Sequence, residues 1–406
     1  MQTIVVIGGG AAGMFAAVNA ARLANGDANV IVLEKSNQLL SKVKVSGGGR
    51  CNVTHHCFEV NELVKNYPRG FKELKGPFHF FNPQNTMDWF EERGVKLKTE
   101  ADGRMFPATD SSQTIIDCLM KEANKFKVQI RANFLVNSIQ QSDEKFEIEN
   151  QNGGKIIADK LLIATGGNSQ GIIFEQLKKW NHTIQPLTPS LFTFQIKDTE
   201  ITDLSGLSIP NVSISIFNSK HSNSGPMLFT HWGISGPAVL KLSAFAAIDL
   251  FKANYNFSIR INLLPEYSAE KVKEKIQDTV QYEGRKKVGT HSMFELPKRC
   301  WLMLMQKAKI EEEKNWADLN KQQKENLLKC LTALELQVSG KSTFKEEFVT
   351  CGGITLSEIN FKTMESKLVK NLFFAGEVID VDAITGGFNF QNAWTTAMIA
   401  AHAMIK

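Results

Sequence analysis

An apolar strand at the start of the chain runs into a cluster of glycines and then into a helix. The four β-prone residues 4–7 predict a fully buried strand of the kind found in parallel sheets. The pattern G-x-G-x-x-G follows, formed by Gly8, Gly10 and Gly13, and the alanine-rich run 14–23 continues as a helix. This order predicts a strand–turn–helix unit with glycines at the helix N-terminus.

Each glycine of this turn has a physical task in a dinucleotide-binding unit. Gly8 allows the tight turn, Gly10 lets the backbone approach a pyrophosphate, and Gly13 lets the helix pack against the sheet. The free N–H groups and the positive dipole end of the helix attract phosphate. A second apolar strand, 30–33, ends at Glu34, an acid that can accept hydrogen bonds from ribose hydroxyls. We therefore predict dinucleotide binding, the alternative being a glycine-rich turn without a ligand.

A second glycine-rich stretch has the sequence S-G-G-G-R-C-N at 46–52. Three consecutive glycines predict a loop rather than a helix or a strand. Its N–H groups would lie against an anion or a flat ring, with Arg50 adding positive charge, whereas the alternative is a flexible surface loop. Because Ser46, Arg50 and Asn52 cluster around the glycines, we favour ligand contact.

Helices alternate with short strands over the rest of the first 190 residues. The pattern predicts helices over 85–93 and 115–126, and N-G-G at 152–154 is typical of a hairpin. A buried strand at 161–164 runs directly into T-G-G at 165–167. We therefore expect a β-meander that covers the sheet and a second close approach of the backbone to the dinucleotide.

The pattern changes near residue 191. Short strands and turns over 191–261 predict a small antiparallel sheet or barrel. From 268 to 334 the chain becomes helical and charged, which predicts a separate three-helix insert whose mixed lysines and glutamates form a solvated face. Strand character returns at 336–338 and 347–350.

The last segment again places glycines at the start of a helix. A buried strand over 371–374 leads to Gly376 and Glu377, and T-G-G-F-N-F-Q at 385–391 precedes a helix over 392–405. A helix N-terminus supplies about half a positive charge and free N–H donors. These would stabilise the negative charge of a reduced flavin, so two glycine-rich sites at opposite ends of the chain favour FAD over NAD as the resident cofactor.

Composition narrows the class of protein. The six cysteines show neither C-x-x-C nor zinc spacing, which is typical of a reducing cytosol and predicts no metal site. No basic region precedes the first strand, and no apolar run approaches the roughly 20 residues that span a bilayer. The formal charge of +5 over 406 residues does not by itself indicate nucleic-acid binding. We expect a cytoplasmic protein that binds a small-molecule substrate, without membrane or nucleic-acid partners.

The stretch L-F-T-H-W-G-I-S-G-P at 228–237 lies among the short strands of 191–261. Together with 46–52 and 376–391, it resembles the aminoacetone-oxidase (BaiN-like) family of FAD-binding flavoproteins, in the glutathione-reductase-like fold group. The resemblance implies an α/β fold. In the implied architecture, a Rossmann-like FAD-binding domain with a parallel sheet and a β-meander would be interrupted by a small antiparallel β-barrel domain that carries a helical insert. The implied bounds are 1–190 with 350–406 for the FAD domain, 191–267 with 335–349 for the barrel, and 268–334 for the insert. Two departures are the shortened stretch 168–171 and Ala397 in place of an expected glycine.

The resemblance also implies the residues around a non-covalent FAD. Glu34 would bind the adenosine ribose, the Val136 backbone the adenine, residues 376–377 the ribityl–pyrophosphate region, and 387–391 the flavin. The expected contacts are Gly8, Gly10, Ala11, Ala12, Gly13, Glu34, Lys35, Lys42, Ser46, Gly47, Gly48, Arg50, Cys51, Asn52, Val136, Ala164, Thr165, Gly166, Gly167, Gly376, Glu377, Gly387, Phe388, Asn389 and Gln391.

Catalytic candidates outside the glycine motifs are His231, Arg104 and Cys51. His231 lies in T-H-W-G at a strand end and could carry a proton near neutral pH, or could bond only to backbone. Arg104, in a turn, could contact substrate or pair with a surface acid. Cys51 lies within the glycine loop.

Several functions remain open at this point. The leading one is an FAD-dependent oxidoreductase that acts on a small organic substrate through flavin N5. It could be an oxidase of an amine or aminoketone, or a reductase that takes electrons from NAD(P)H and reduces an activated C=C bond. No second G-x-G-x-x-G with strand and helix is present, so a separate NAD(P)H domain is not visible. An RNA-modifying flavoprotein and a flavin-bound structural protein are less favoured.

Overall fold

The computed structural model describes residues 1–167, 171–290, 292–341 and 349–406. The chain divides into two compact units, which are described separately below. The first unit comprises Met1–Thr188 and Val349–Lys406, and the second comprises Pro189–Phe348. The segment 268–334, expected as a separate insert, falls within the second unit. The shortened stretch at 168–170 and part of the strand expected at 347–350 lie outside the described residues.

Helices and strands alternate along the chain. The α-helices of the described residues are α1 Ala11–Ala24, α2 Ser41–Gly49, α3 Val60–Leu63, α4 Lys75–Phe80, α5 Pro83–Glu91, α6 Gln113–Lys125, α7 Ile172–Lys179, α8 Thr199–Thr202, α9 Pro237–Phe245, α10 Ala247–Lys252, α11 Ala269–Tyr282, α12 Lys298–Lys307, α13 Lys321–Thr332 and α14 Phe388–Met404.

The strands of the same residues are β1 Gln2–Ile7, β2 Ala28–Leu33, β3 Thr54–His55, β4 Leu97–Thr99, β5 Arg104–Pro107, β6 Gln129–Arg131, β7 Val136–Ser142, β8 Lys145–Asn150, β9 Lys155–Ala158, β10 Lys160–Ile163, β11 Ile184–Ser190, β12 Phe194–Gln195, β13 Ser208–Ile216, β14 Ser222–Thr230, β15 Gly233–Ser235, β16 Phe257–Asn262, β17 Leu334–Val338, β18 Gly340–Lys341, β19 Val349–Ile354, β20 Ile359–Asn360, β21 Glu365–Ser366 and β22 Leu372–Phe374.

The first unit is built on a seven-stranded sheet with the order β20-β21-β22-β10-β1-β2-β6. Its five strands from β22 to β6 are parallel, with Val5 of β1 opposite Leu161 of β10 and Ile31 of β2. The centre of β1 is completely buried, as expected for a parallel strand covered on both faces. Strands β7, β8 and β9 form a separate antiparallel sheet. The predicted parallel sheet and β-meander are thus confirmed.

Two long helices, α1 and α14, pack against each other in this unit. The ring of Phe15 in α1 lies 5.1 Å from that of Trp394 in α14 and 4.6 Å from that of Trp89 in α5. Edge-to-face and tilted aromatic contacts of this kind add to the free energy gained from burial. This aromatic cluster fixes the position of α1 relative to α14. It therefore also fixes the positions of their N-termini, which are both preceded by glycines.

The glycine loop at 46–52 is partly helical. Helix α2 extends to Gly49, but Ser46, Gly47 and Gly48 have non-helical backbone angles, Ser46 being extended and both glycines left-handed. The expected loop is therefore present at 46–48, after a helical turn that the pattern did not predict. Positive φ angles of 57° and 68° explain why glycine occupies the two positions after Ser46.

The second unit contains a seven-stranded antiparallel sheet with the order β17-β16-β13-β14-β15-β12-β18. The predicted barrel is not confirmed, because no pairing joins β17 to β18 among the described residues. These two outer strands are consecutive in the chain and only Ser339 separates them. Helices α11, α12 and α13 share one hydrophobic core with the sheet, to which Phe194, Ile261 and Trp301 all contribute.

None of the helices in the described ranges combines the length and the apolar character needed to cross a lipid bilayer.

Candidate functional site

The first glycine turn leaves space for a ligand at only one of its three glycines. A Cβ atom at Gly8 would lie 2.4 Å from the Ala164 carbonyl oxygen, and one at Gly13 would lie 1.9 Å from the Gly8 carbonyl oxygen. A Cβ atom at Gly10 would meet no other atom within 4 Å. Gly8 and Gly13 are therefore required for close packing, while Gly10 borders open space.

The N-terminus of α1 is a ready site for an anion. Its N-cap is Gly10, no side chain caps it, and its first turn contains no acidic residue. The segment around Gly376 approaches it closely, because a Cβ atom at Gly376 would lie 2.8 Å from Ala12 Cβ. Unshielded N–H groups at a helix N-terminus are the usual environment of a bound phosphate.

Glu34 is held beside this turn by three hydrogen bonds. Its Oε2 atom accepts from the Gly9 N–H at 2.8 Å, and its Oε1 atom accepts from the N–H and the hydroxyl of Ser36 at 3.0 and 2.9 Å. A carboxylate has about four acceptor positions, so one remains for a ribose hydroxyl. Lys35, by contrast, is exposed.

Glu377 connects four segments that are distant in sequence. Its carboxylate accepts from Lys42 Nζ at 2.7 Å, from the Thr350 N–H at 3.1 Å and from the Gly167 N–H at 3.4 Å. Three of the residues expected at the cofactor, Lys42, Gly167 and Glu377, are thus brought together. Their polar groups lie near the α1 N-terminus, because Glu377 directly follows Gly376.

Arg50 is engaged with protein groups rather than directed at the glycine turn. Its guanidinium lies 2.6 Å from Glu100 and 4.0 Å above the ring of Phe106. The hydrogen bond to Glu100 raises the pKa of Arg50 above its ordinary value. Arg104 shares this acid at 3.0 Å and also pairs with Asp102 at 2.7 Å. Both predicted arginines therefore belong to one charged cluster whose acids offset their charge.

The Cys51 thiol is poorly suited to nucleophilic chemistry. The residue is fully buried, and burial raises the pKa of the thiol to about 12, although a hydrogen bond to Ser46 opposes this. The reactive thiolate is therefore scarce at neutral pH. The Cys51 N–H donates to the Ser46 carbonyl at 3.0 Å, which closes the glycine loop. A structural role explains these observations; a catalytic one stays a prediction.

The α14 N-terminus forms the second glycine-bounded site. Its N-cap is Gly387, with φ of 90°, no side-chain cap and no acidic residue in the first turn. A Cβ atom at Gly387 would lie 2.5 Å from the Thr54 carbonyl oxygen. In the favoured orientation of its amide, Asn52 accepts from the Gly387 N–H at 2.9 Å and donates to that same carbonyl at 3.0 Å. Asn52 thus joins the glycine loop to α14.

Three side chains after Gly387 support the helix from inside. Phe388 is buried, and Asn389 both accepts from and donates to the backbone of Ala383 at 3.0 Å. Gln391 is fully buried, and its Oε1 atom accepts from Thr54 at 2.6 Å and from Thr86 at 2.9 Å. Its Nε2 atom donates a hydrogen bond to the hydroxyl of Thr395, one turn further along α14. These side chains hold α14 in place, so the groups it presents to a ligand are mainly those of its first backbone positions.

The remaining residues expected at the cofactor lie on the same unit. They are Ala11 in the first turn of α1, Val136 at the start of β7, Ala164 directly after β10, and Thr165 and Gly166 in the loop that follows it. Among the described residues, no group of three or more His, Cys, Asp or Glu side chains could hold a metal ion.

His55, which no sequence pattern indicated, lies at the α14 N-terminus. Its ring stacks on that of Phe388, with centroids 4.6 Å apart, and its Nε2 atom lies 3.1 Å from the Asp102 carbonyl oxygen. A Cβ atom at Gly386 would lie 3.3 Å from the His55 ring. His231, the histidine selected from the sequence, is exposed between β14 and β15 of the second unit. The available signal was that His55 lies only three residues after the glycine loop.

A buried ion pair between Arg69 and Asp382 was also missed. The Nε and Nη2 atoms of Arg69 each donate a hydrogen bond to the carboxylate of Asp382, and Asp382 is completely buried. The neighbouring Asp380 accepts from the Gly352 N–H at 3.1 Å, and burial raises the pKa of Asp380 above its ordinary value. The pair anchors the segment that leads to α14, since removal of one partner of a buried pair leaves an uncompensated charge.

These features fit FAD, and together they define the class of protein. Four features match the chemistry that the polar parts of one dinucleotide require: open space beside Gly10, an uncapped α1, the fixed carboxylate of Glu34 and an uncapped α14. The fold and this site are those of an FAD-dependent oxidoreductase of the Rossmann type. The chain belongs to the HI0933-like family, whose Rossmann-domain model matches residues 2–403.

The chain is similar along its whole length to proteins with two different names. It is 27% identical to the 3-dehydro-bile acid delta(4,6)-reductase of Clostridium scindens, over 99% of both chains. It is 29% identical to the ribosomal RNA dihydrouridine synthase of Escherichia coli, over 99% of this chain and 97% of the relative. These findings confirm the flavoprotein family expected from the sequence, but not aminoacetone oxidase in particular.

A solved structure shows the same fold. The 3-ketosteroid delta1-dehydrogenase of Sterolibacterium denitrificans superposes with a TM-score of 0.52 at 10% identity, with 100% of both chains covered. At this identity the likeness concerns the fold alone.

Proposed function

We propose that the protein reduces a carbon–carbon double bond conjugated to a carbonyl group. The observation that carries this proposal is the uncapped N-terminus of α14 at Gly386 and Gly387, without an acidic residue in its first turn. A reduced flavin carries additional negative charge, which a helix N-terminus stabilises. The same unit holds Glu34 and Glu377, which are suited to the ribose and ribityl hydroxyls.

The offset between the two helix N-termini supports one extended cofactor. The Gly376 N–H donates to the Thr396 hydroxyl at 2.9 Å, so the α1 N-terminus lies beside the middle of α14. From Thr396 back to Phe388 the helix rises about 12 Å. A pyrophosphate at α1 and a ring system at α14 can therefore belong to the same molecule. We expect the FAD to be non-covalent and to be released by denaturation.

The direction of the reaction is suggested by the relatives. A delta(4,6)-reductase of a 3-dehydro bile acid and a dihydrouridine synthase both add two hydrogens across a C=C bond conjugated to a carbonyl group. This shared chemistry favours the reductase over the amine or aminoketone oxidase that the sequence left open. The electrons are proposed to come from NAD(P)H as a transient reductant, and the protein is proposed to act in the cytoplasm.

The proposed reaction needs one hydride and one proton. Bound FAD would supply the two-electron chemistry of the hydride, and a side chain of this protein would supply the proton to the substrate. This chain holds the cofactor through α1, Glu34 and α14. We propose His55 as the proton carrier, because it lies against Gly386 at the α14 N-terminus and histidine exchanges protons near neutral pH.

The test separates the reductase from the oxidase. The purified yellow protein is mixed anaerobically with NADH or NADPH, and bleaching of the flavin absorbance is followed before and after addition of a 4-en-3-one steroid or of uridine. We expect NAD(P)H to bleach the flavin and at least one conjugated substrate to restore the colour. In a parallel aerobic assay, aminoacetone-dependent formation of hydrogen peroxide from O₂, together with no bleaching by NAD(P)H, would instead identify an oxidase.

A further inference from the structure

The second unit has exposed apolar side chains on two consecutive helices, α9 and α10. Phe245, Ile248 and Phe251 expose 42%, 45% and 44% of their surfaces. Lys241 lies one turn before Phe245 in α9, and Ile248 lies one turn before Lys252 in α10. We name these five residues the aromatic–basic face. Three large apolar side chains exposed within seven residues of the chain are a candidate interaction surface.

The charge around this face is strongly one-sided. The segment 217–260 contains four basic residues and one acidic residue, although the whole chain carries 47 basic and 42 acidic residues. The single acid, Asp249, lies 3.2 Å from His221 Nε2. The basic residues of the segment are Lys220, Lys241, Lys252 and Arg260, of which Arg260 pairs with Glu335 of β17 at 3.5 Å. A partner of this face should therefore be negatively charged.

We propose that the aromatic–basic face binds single-stranded RNA. Every base presents a flat ring that can stack on Phe245 and Phe251, and the phosphates can contact Lys241 and Lys252. The proposal rests on the proposed function, because a uracil ring has the required conjugated C=C bond and one relative is named for acting on ribosomal RNA. From the total charge of +5 we expected no nucleic-acid partner. That total does not show how the charge is distributed, and basic residues are in excess around this face.

A second copy of this chain is a less suitable occupant. Association of two copies through this face would place Lys241 and Lys252 of each near the same residues of the other. Like charges at an interface cost binding free energy, whereas RNA phosphates neutralise them. A lipid surface would satisfy the charges and the apolar side chains but has no flat rings for two phenyl groups. Both occupants are outcomes of the test.

The experiment measures binding of the FAD-loaded protein to a fluorescently labelled, uridine-rich single-stranded RNA by anisotropy at several salt concentrations. We expect Phe245→Ala and Phe251→Ala each to weaken binding about tenfold. Phe245→Tyr retains a ring and should retain the affinity. Lys252→Gln should reduce the slope of log affinity against log salt by about 0.7.

The matched control is Phe71 of the first unit, which exposes 44% of its surface and has Lys72 Nζ 5.7 Å from its ring centroid. Phe71→Ala should leave RNA affinity unchanged, and all variants should keep wild-type flavin content and melting temperature. Reduction of a small conjugated substrate is measured in parallel and should be unaffected by the variants of the face. A failure of the proposed function would abolish that reduction in the wild type, whereas a failure of this proposal would not.

Three results would overturn the proposal. The first is an RNA affinity that is undetectable in the wild type or equal in the face and control variants. The second is a change in sedimentation of the protein without RNA when Phe245 or Phe251 is replaced, which would identify a second copy as the occupant. The third is binding to anionic vesicles that depends on the same rings in the absence of RNA binding.

Discussion

The carboxylate of Glu377 lies 2.7 Å from Lys42 Nζ, although 335 positions separate the two residues. Lys42 lies in the first turn of α2, before the glycine loop at 46–52, and Glu377 belongs to the segment that leads to α14. The Lys42 side chain is 53% exposed and that of Glu377 is 19% exposed. An ion pair at this level of exposure adds little to stability. What the ion pair does is to fix the orientation of the Glu377 carboxylate beside the α1 N-terminus.

Replacing Glu34 by arginine should weaken FAD binding and leave the protein folded. In Glu34→Arg the three hydrogen bonds to Gly9 and Ser36 are lost and a cation faces the ribose position. Hydrogen bonds to charged groups contribute about 1.5–3 kcal/mol, so we expect FAD affinity to fall at least about tenfold. Fluorescence titration of the apoprotein with FAD measures this, and Lys35→Ala, at an exposed neighbour, serves as the control. Equal flavin content in wild type and Glu34→Arg would contradict the assignment.

Alanine at Gly10 should weaken FAD binding, whereas alanine at Gly13 should lower the stability of the fold. At Gly10 the added methyl group enters open space, and φ of −82° suits alanine, so Gly10→Ala should leave the apoprotein's unfolding free energy unchanged and weaken FAD binding. At Gly13 the methyl group meets the Gly8 carbonyl oxygen, and we expect a loss of about 1–3 kcal/mol in stability. Urea unfolding and FAD titration of both variants test this. Normal FAD affinity in Gly10→Ala would show that no ligand occupies that space.

His182 should make stability decrease at mildly acidic pH. Its Nδ1 and Nε2 atoms lie 3.0 Å from Glu358 and 2.9 Å from the Ser366 hydroxyl, and burial lowers the pKa of His182 below 6.5, with Glu358 opposing. The unfolded chain therefore binds the proton more readily than the folded chain. The contribution is complete above about pH 6.5 and is lost as pH falls through the lower folded pKa.

The measurement is urea unfolding of wild type and His182→Gln across this pH range. We expect the free energy of unfolding of the wild type to fall more steeply with decreasing pH. Parallel curves for the two proteins would mean that His182 has the same pKa in both states.

The thiols should react in an order set by burial. Cys57 is partly exposed, whereas the other five cysteines are buried. Burial also raises the pKa values of Cys51 and Cys351 to about 12. We expect one thiol per chain to react quickly with Ellman's reagent under native conditions and the rest only on unfolding. Cys57→Ser should remove the fast phase; its persistence in that variant would point to an opening of the core.

The two candidate proton carriers can be compared directly. His55→Gln should lower kcat for reduction of a conjugated substrate by about a hundredfold or more and flatten its pH profile, with flavin content unchanged. His231→Gln is the matched variant and should keep the wild-type profile. Loss of FAD from His55→Gln would instead indicate that His55 only supports the α14 N-terminus, and a large effect of His231→Gln alone would reverse the assignment.

The sequence by itself determined the elements whose signals are local. The apolar run before Gly8, the alanine-rich helix and the second strand ending at Glu34 predicted the parallel βαβ unit, because a buried strand and a glycine turn depend mainly on neighbouring residues. The meander and the glycines before α14 were predicted for the same reason. Periodicity also predicted three helices over 268–334, where the structure has α11, α12 and α13.

Only the tertiary structure decided which side chains meet. The pairing of Lys42 with Glu377, the engagement of Arg50 with Glu100 and the stacking of His55 on Phe388 join positions that are 335, 50 and 333 residues apart. The sequence assigned Arg50 to a ligand and selected His231, because charge and side-chain type can be read locally while partners cannot. The order of the strands likewise depends on contacts between segments that are distant in sequence, and so does the core that sheet and helices share in the second unit. A local sequence pattern does not report the free energy of such contacts.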